Sequence, residues 1–177
     1  YFQERKAGEV PVHEAKLLII GEAGTGKTTF ARRVCDHEAP LPEEEKDTTR
    51  GIIIKPHTWS QEDLPDFQMN VWDFGGQDVY HGIHQIFLSK RALYVLILDG
   101  RREEYPHYWL QAQELLGQDS PLLVILNKKG EIQHNNPSSE WMQEHTNLIE
   151  YKEINLATET EQLKLLSSSV ETYIRTL

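Results

Sequence analysis

The stretch GEAGTGKT, residues 21–28, fits the pattern G-x-x-x-x-G-K-[ST] and decides the fold. It follows the short apolar run Ala15–Ile20 and leads into a segment of helical periodicity, Lys27–His37. Glycines let successive backbone N–H groups turn inward and form an anion nest, and the next helix directs its partly positive N-terminus at the same point. The lysine adds a full positive charge. The stretch therefore predicts a phosphate-binding loop between a strand and a helix.

Apolar runs alternate with segments of helical periodicity along the rest of the chain. Most of these runs do not alternate polar and apolar residues, which is typical of parallel strands covered by helices on both faces. The expected strands are Ala15–Ile20, Gly51–His57, Phe67–Asp73, Ala92–Leu98, Leu122–Leu126 and Tyr151–Ile154. The polar segment Thr58–Asp66 is short enough to join the second and third strands as a hairpin. The pattern predicts an α/β fold with one antiparallel edge on an otherwise parallel sheet.

Composition excludes several classes of function. The chain has 177 residues, a net charge of −10 and one cysteine, Cys35. The length suits one domain, and the negative charge disfavours nucleic acid and anionic lipid surfaces as main partners. No apolar run approaches the roughly 20 residues that span a bilayer. A lone cysteine cannot form an internal disulfide, so we expect a cytoplasmic protein.

A second candidate site lies at the end of the third predicted strand, in the sequence DFGGQ at 73–77. Asp73 can hold Mg²⁺, Gly76 lets its N–H approach a terminal phosphate, and Gln77 can orient an attacking water. The same composition is also common in ordinary strand-to-turn junctions. Thr49 precedes a strand on a loop that could close over the γ-phosphate and Mg²⁺ and so sense which nucleotide is bound, although a pair of threonines can also simply begin a strand. Thr28, at the end of the phosphate loop, is expected to offer its hydroxyl to Mg²⁺.

Further segments resemble those of the Roc (Ras of complex proteins) GTPase domain of the Roco family. They are WDFGGQ at 72–77, HGIHQIFL at 81–88, LDGR at 98–101 and HYWL at 107–110. The family belongs to the Ras-like P-loop GTPases and includes the leucine-rich-repeat kinases and their bacterial relatives. The resemblance covers about residues 14–176 and implies a Rossmann-like three-layer α/β/α fold with a six-stranded sheet.

The resemblance also implies a function, which is that of a Mg²⁺-dependent GTP/GDP-binding switch with slow GTP hydrolysis. It assigns Thr28, Thr49 and Asp73 to the metal, and Lys27, Thr49 and Gln77 to hydrolysis. Contacts to the phosphates and the base are implied for Gly21, Glu22, Ala23, Gly24, Thr25, Gly26, Lys27, Thr28, Thr29, Gly76, Asn127, Lys128, Leu156 and Ala157. Many Ras-like proteins have glycine at the position of Ala23, and a methyl group near the γ-phosphate is compatible with slow turnover.

The base-recognition motif departs from the family pattern. It should read N-K-x-D but reads NKKG at 127–130, so Gly130 replaces the aspartate. That carboxylate would accept hydrogen bonds from guanine worth about 1.5–3 kcal/mol each, and its loss costs on the order of ten- to a hundredfold in affinity. Asn127 can still tie the loops together, the Lys128 stem can stack on the base, and Glu131 could substitute if the loop shifts by one residue. The segment 155–158 would complete the base contacts.

Two alternative functions stay open. One is a non-hydrolysing nucleotide-binding scaffold that mediates protein contacts, and the other is an adenine-tolerant P-loop NTPase. The resemblance implies a neighbouring COR dimerisation domain and leucine-rich repeats as partners in a larger protein. We expect residues 1–3 to be a tag remnant, residues 4–13 an N-terminal extension, and residues 14–177 an excised Roc domain that is monomeric or weakly dimeric.

Overall fold

The computed structural model describes residues 13–43, 49, 51–61, 64–75, 90–99, 107–129 and 145–177. These residues form six strands and three helices. In chain order the elements are β1 (His13–Ile20), α1 (Lys27–Arg33), β2 (Ile52–Gln61), β3 (Leu64–Phe74), β4 (Ala92–Asp99), α2 (His107–Gly117), β5 (Leu122–Asn127), β6 (Leu148–Ile154) and α3 (Thr160–Arg175). None of these helices is long and apolar enough to cross a bilayer.

The six strands form a single sheet in the order β2-β3-β1-β4-β5-β6. Only β2 and β3 pair antiparallel, and every other neighbouring pair is parallel. The α/β fold with one antiparallel edge strand is thereby confirmed. The carboxyl ends of β1, β3, β4 and β5 meet at one edge of the sheet, which is where ligands bind in open α/β folds. Asp99 at the end of β4 pairs in register with Asn127 at the end of β5.

The core lies on both faces of the sheet. In β1, Leu17 and Ile19 pack in the cluster that includes side chains of α1 and α3. Leu18 and Ile20 point to the opposite face and join side chains of α2. Successive side chains of a strand point to opposite faces, so a strand covered on both sides is apolar at every position. This arrangement makes three layers and explains why the apolar runs show no alternation.

The hairpin differs from its prediction, because the loop expected at Thr58–Asp66 is largely strand. β2 continues to Gln61 and β3 already begins at Leu64. Trp59 pairs with Phe67 across the hairpin, and both side chains pack against the core on the α1/α3 face. Burial of these two rings extends the pairing beyond the apolar runs. Since β2 is the edge strand, its proline at position 56 is tolerated there.

The end of α1 and the start of β6 also differ from the predictions. Helix α1 ends at Arg33 rather than at His37. The guanidinium of Arg33 donates to the carbonyl of His37 at 2.6 and 2.9 Å, so the chain folds around this side chain instead of continuing the helix. Strand β6 begins at Leu148, three residues before the predicted Tyr151.

Candidate nucleotide-binding site

The phosphate loop connects β1 to α1 at the carboxyl edge of the sheet. Gly21 has φ +136° and Gly26 has φ +109°, backbone conformations that residues with a side chain rarely adopt. A Cβ at Gly21 would overlap the carbonyl oxygen of Ile97, and one at Gly26 would overlap the side-chain amide of Asn127. The backbone therefore passes so close to its neighbours that only glycine fits at these two positions.

The Lys27 side chain is buried at the start of α1. Its Nζ donates to the carbonyl of Glu22 at 2.6 Å, across the inside of the loop. Burial lowers the pKa of Lys27 to about 8, although the negative charges of Asp73 and Glu22 oppose this shift, while the positive charge of Lys129 adds to it. Nearby negative charges therefore do not fully offset the burial of the Lys27 ammonium. A bound phosphate group would supply the missing negative charge.

Three oxygen ligands converge beside Lys27. The hydroxyls of Thr28 and Thr49 both donate to Asp73 Oδ2, at 2.8 and 2.9 Å, and the two Oγ1 atoms are 3.0 Å apart. Burial raises the pKa of Asp73, and the two hydroxyls and the charge of Lys27 partly reverse the shift. The other carboxylate oxygen, Asp73 Oδ1, is buried and has no hydrogen-bond partner within the described part of the chain.

These groups fit a magnesium ion. Hydroxyl and carboxylate oxygens are ligands that Mg²⁺ accepts, usually together with water and phosphate oxygens. The unpartnered, buried Oδ1 of Asp73 is a polar atom that such an ion or its water would satisfy. Among the described residues no three His, Cys, Asp or Glu side chains come together to hold a metal. A divalent ion at this point would therefore depend on two hydroxyls, one carboxylate and the oxygens of its ligand.

Asn127 connects the two ends of the candidate site. Its Nδ2 donates to the carbonyl of Thr25 in the phosphate loop at 2.8 Å, and its Oδ1 accepts the backbone N–H of Leu156 at 3.2 Å. Asn127 is itself buried at the end of β5. One amide side chain therefore fixes the distance between the phosphate loop and the loop that follows β6.

Arg33 is a site residue that the sequence analysis missed. Its guanidinium donates to the carbonyls of Leu156 and Ala157, each at 2.7 Å, and to Thr160 Oγ1 at 3.0 Å. The side chain is only 5% exposed. A signal was present in the sequence, because Arg33 lies three residues after Phe30 and so places a charge on the apolar face of α1.

Glu22 ties the phosphate loop to α2, a second contact that was not predicted. Its Oε1 accepts the indole N–H of Trp109 at 2.9 Å. Trp109 is fully buried in the core on the α2 face. The side chain of a loop residue is thereby anchored to the helix packed beneath the sheet.

The two lysines of the NKKG stretch point to different partners. Lys128 Nζ lies 3.7 Å from Glu159 Oε1, near the start of α3. Lys129 Nζ donates to the carbonyl of Gly24 in the phosphate loop and lies 3.9 Å from Asp99 Oδ2. Only the second lysine therefore reaches the phosphate loop.

The family model described as "Ras of Complex, Roc, domain of DAPkinase" matches residues 16–130. The chain belongs to the Roc family. A Roc-COR-CHAT protease of Runella zeae is 37% identical over 136 residues, covering 66% of this chain and 15% of that protein. Leucine-rich repeat serine/threonine-protein kinase 1 of Caenorhabditis elegans is 33% identical over 93 residues, 48% of this chain and 4% of the kinase.

A solved relative covers the full length of this chain. The structure of Methanosarcina barkeri Roco2 RocCORdC bound to GDP superposes with a TM-score of 0.82 and 34% sequence identity, covering 100% of this chain and 54% of that one. This Roc domain therefore spans about half of that structure, and a small part of the curated relatives that it matches.

The Roc domain brings four of the predicted site residues together, and these are Lys27, Thr28, Thr49 and Asp73. Two more, Asn127 and Leu156, are hydrogen-bonded to each other where the loops after β5 and β6 meet. Of the remaining predicted site residues, Gly76 and Gln77 lie outside the residues that the structure describes. Gly130 and Glu131 lie outside them as well.

Proposed function

We propose that this Roc domain is a Mg²⁺-dependent GTP/GDP-binding switch that hydrolyses GTP slowly within a larger Roco protein. The observation that carries the proposal is the convergence of Thr28, Thr49 and Asp73 beside the buried Lys27. Thr49 lies 21 residues after Thr28 in the sequence and still shares its carboxylate acceptor. A group that senses a terminal phosphate must come from such a separate segment, since only then can it leave when that phosphate is lost.

Binding of the phosphates would rest on Lys27 and on the backbone of the loop from Gly21 to Gly26. A β- or γ-phosphate near Lys27 Nζ replaces the Glu22 carbonyl as its partner and stabilises the charged ammonium. Mg²⁺, when bound, neutralises charge on the β- and γ-phosphate oxygens. Thr28, Thr49 and Asp73 are the residues that would hold it.

Hydrolysis is assigned to the sequence DFGGQ. Water attacks the γ-phosphorus, the bond from that phosphorus to the β–γ bridging oxygen breaks, and GDP and inorganic phosphate leave. Gln77 orients the water, and Gly76 donates its N–H to the γ-phosphate. Ala23 is exposed on the loop, and a methyl group at this position is compatible with the slow turnover that we propose. Loss of the γ-phosphate frees Thr49 and Gly76, so that the segments 38–50 and 74–90 change partners and transmit the signal.

Guanine is the proposed base, because Asn127 follows β5 and contacts the phosphate loop, as the base-recognition asparagine of the motif should, and because the Methanosarcina barkeri relative is bound to GDP. Gly130, which removes the expected aspartate, favours adenine tolerance as a second candidate function. A COR domain, named in the Roc-COR-CHAT relatives, is the proposed neighbour in the full protein. Cytoplasmic residence, which the single Cys35 favours, is part of the same proposal.

A fluorescent-GDP titration in Mg²⁺, displaced in turn by unlabelled GDP and ADP, tests the function. We expect GDP to displace the probe at least about a hundredfold better than ADP, a difference of roughly 2.7 kcal/mol. Equal displacement would assign an adenine-tolerant site, and a probe that never binds would favour a nucleotide-independent scaffold. Lys27→Ala should abolish tight binding, whereas Lys164→Ala removes an exposed lysine of α3 that pairs with Glu161 and should leave affinity unchanged.

A further inference from the structure

The family motif predicts Lys128 as the lysine beside the nucleoside, whereas the side chain of Lys129 is the one that reaches the phosphate loop. We propose that Lys129, and not Lys128, lies along the bound nucleotide between its base and its phosphates, and that Asp99 holds it there. The inference rests on the proposed nucleotide binding and deepens it, since it names a binding residue of the same site.

The first argument is the path of the Lys129 side chain. Its backbone lies two residues after Asn127, at the base end of the site, and its Nζ donates to the carbonyl of Gly24 at the phosphate end. Asn127 also contacts the phosphate loop, at the carbonyl of Thr25, so the two ends are close together. A nucleotide that joins them would run beside the four-carbon stem of Lys129. Such a stem covers apolar ring surface while its charged end stays on polar partners.

The second argument is that Asp99 fixes the end of this side chain. Asp99 Oδ2 lies 3.9 Å from Lys129 Nζ, and the Asp99 side chain is only 1% exposed. Its backbone is set by the pairing of β4 with β5, where it is the partner of Asn127. A carboxylate anchored in the sheet restricts the lysine more than a mobile surface partner does. Asp99 is therefore a positioning residue, because it acts through Lys129.

The third argument is electrostatic proximity to the phosphate site. The positive charge of Lys129 is among the causes that lower the pKa of Lys27. Its ammonium is therefore close enough to contribute positive potential where the phosphates bind.

Lys128 has a different set of partners. It lies 3.7 Å from Glu159 Oε1, and the other oxygen of this carboxylate accepts the backbone N–H of Asn155 at 2.7 Å. Lys128 and Lys129 have the same side-chain exposure, 32% each, so exposure does not distinguish them, but their partners do. Lys128 braces the loop after β6 against the loop after β5, and Lys129 spans the nucleotide.

Paired alanine variants test the assignment. The dissociation constant for fluorescent GDP in Mg²⁺ is measured for Lys129→Ala and Lys128→Ala, with thermal unfolding of the nucleotide-free proteins as the control for folding. We expect Lys129→Ala to weaken binding at least about tenfold and Lys128→Ala less than about threefold. Equal losses, or a larger loss for Lys128→Ala, would overturn the proposal. If Lys129→Ala binds GDP as tightly as the parent, the assignment of Lys129 is overturned and the proposed function stands. If the parent protein binds no GDP, the proposed function is overturned as well.

A double-mutant cycle tests the role of Asp99. Asp99→Asn should weaken GDP binding in the parent and have no further effect in the Lys129→Ala background, because the group through which it acts is then absent. Additive losses in affinity would show that Asp99 does not act through Lys129. A purely structural role would lower the unfolding temperature of both backgrounds equally without this coupling in affinity. The sequence offers Glu131→Gln as a further variant, and a loss of affinity there without one in Lys129→Ala would also contradict the proposal.

Discussion

Replacement of Arg33 by methionine is the most informative perturbation of the base end of the site. The guanidinium donates five hydrogen bonds, two to the carbonyl of His37 and one each to the carbonyl of Leu156, the carbonyl of Ala157 and the hydroxyl of Thr160. Methionine keeps most of the apolar stem and removes every donor. The loop after β6 then loses its hydrogen bonds to α1, and its carbonyls lose their partner, while Leu156 still packs in the core with side chains of α1.

The expected cost follows from the burial of each acceptor. The bond to the carbonyl of Leu156 is fully buried, and losing it costs about 1–3 kcal/mol because water cannot replace the donor. The other four bonds are partly buried, so water recovers much of their value. Together we expect the free energy of unfolding to fall by about 3 kcal/mol. With a urea m-value of about 2 kcal/mol/M, the unfolding midpoint falls by roughly 1.5 M.

Urea unfolding of the nucleotide-free protein measures this difference, and Arg32→Met is the matched control. Arg32 directly precedes Arg33 in α1, so the control changes the same residue type in the same helix. Its side chain is half-buried, whereas that of Arg33 is buried. We expect the control to change the free energy of unfolding by less than about 1 kcal/mol. In Arg33→Met the affinity for GDP should also fall, because the loop after β6, which fixes Asn127 through the N–H of Leu156, is no longer hydrogen-bonded to Arg33. Equal unfolding midpoints for the two variants would refute the reasoning.

Three further outcomes are expected. Gln77→Leu should lower single-turnover GTP hydrolysis and leave GDP affinity unchanged, and equal rates for variant and parent would remove Gln77 from the mechanism. Since the pKa of Lys27 is about 8 when folded and 10.5 when unfolded, the unfolded chain binds more protons between these values. The urea midpoint of the nucleotide-free protein should therefore rise with pH across that window, and Lys27→Met should remove this part of the rise. Gly26→Ala should lower the unfolding midpoint more than Gly24→Ala, because both glycines have positive φ but only a Cβ at Gly26 meets the Asn127 amide, and equal midpoints would contradict that contact.

The fold was predictable where local sequence and burial agree. Every residue of the run Leu122–Leu126 is buried, so its uniform apolar character reported directly on a central strand. The ends of β2 and β3 depend instead on the pairing of Trp59 with Phe67, a contact between rings that no local pattern reveals. The end of α1 at Arg33 likewise depends on where its guanidinium finds acceptors.

Part of the candidate site could likewise be predicted from a local motif, and part depends on contacts between distant segments. The phosphate loop is a contiguous motif, and its spacing alone predicts an anion nest. Arg33 contacts Leu156 across 123 residues of sequence, and Lys129 contacts Gly24 across 105, so neither contact leaves a trace in local periodicity. The motif points to Lys128 as the lysine beside the base, and the structure adds that the side chain of Lys129 reaches the phosphate loop.

The electrostatics of the site indicate why nucleotide should act on the whole domain. Burial lowers the pKa of Lys27 and raises that of Asp73, so the charged form of each residue is disfavoured by its surroundings in the protein. Phosphate beside Lys27 and a cation beside Asp73 remove both penalties at once. A ligand that binds only the folded state at a hundred times its dissociation constant adds about 2.7 kcal/mol of stability. Thr49 shares the Asp73 oxygen with Thr28. We therefore expect contacts to the γ-phosphate to hold Thr49 in place, and hydrolysis of GTP to release it.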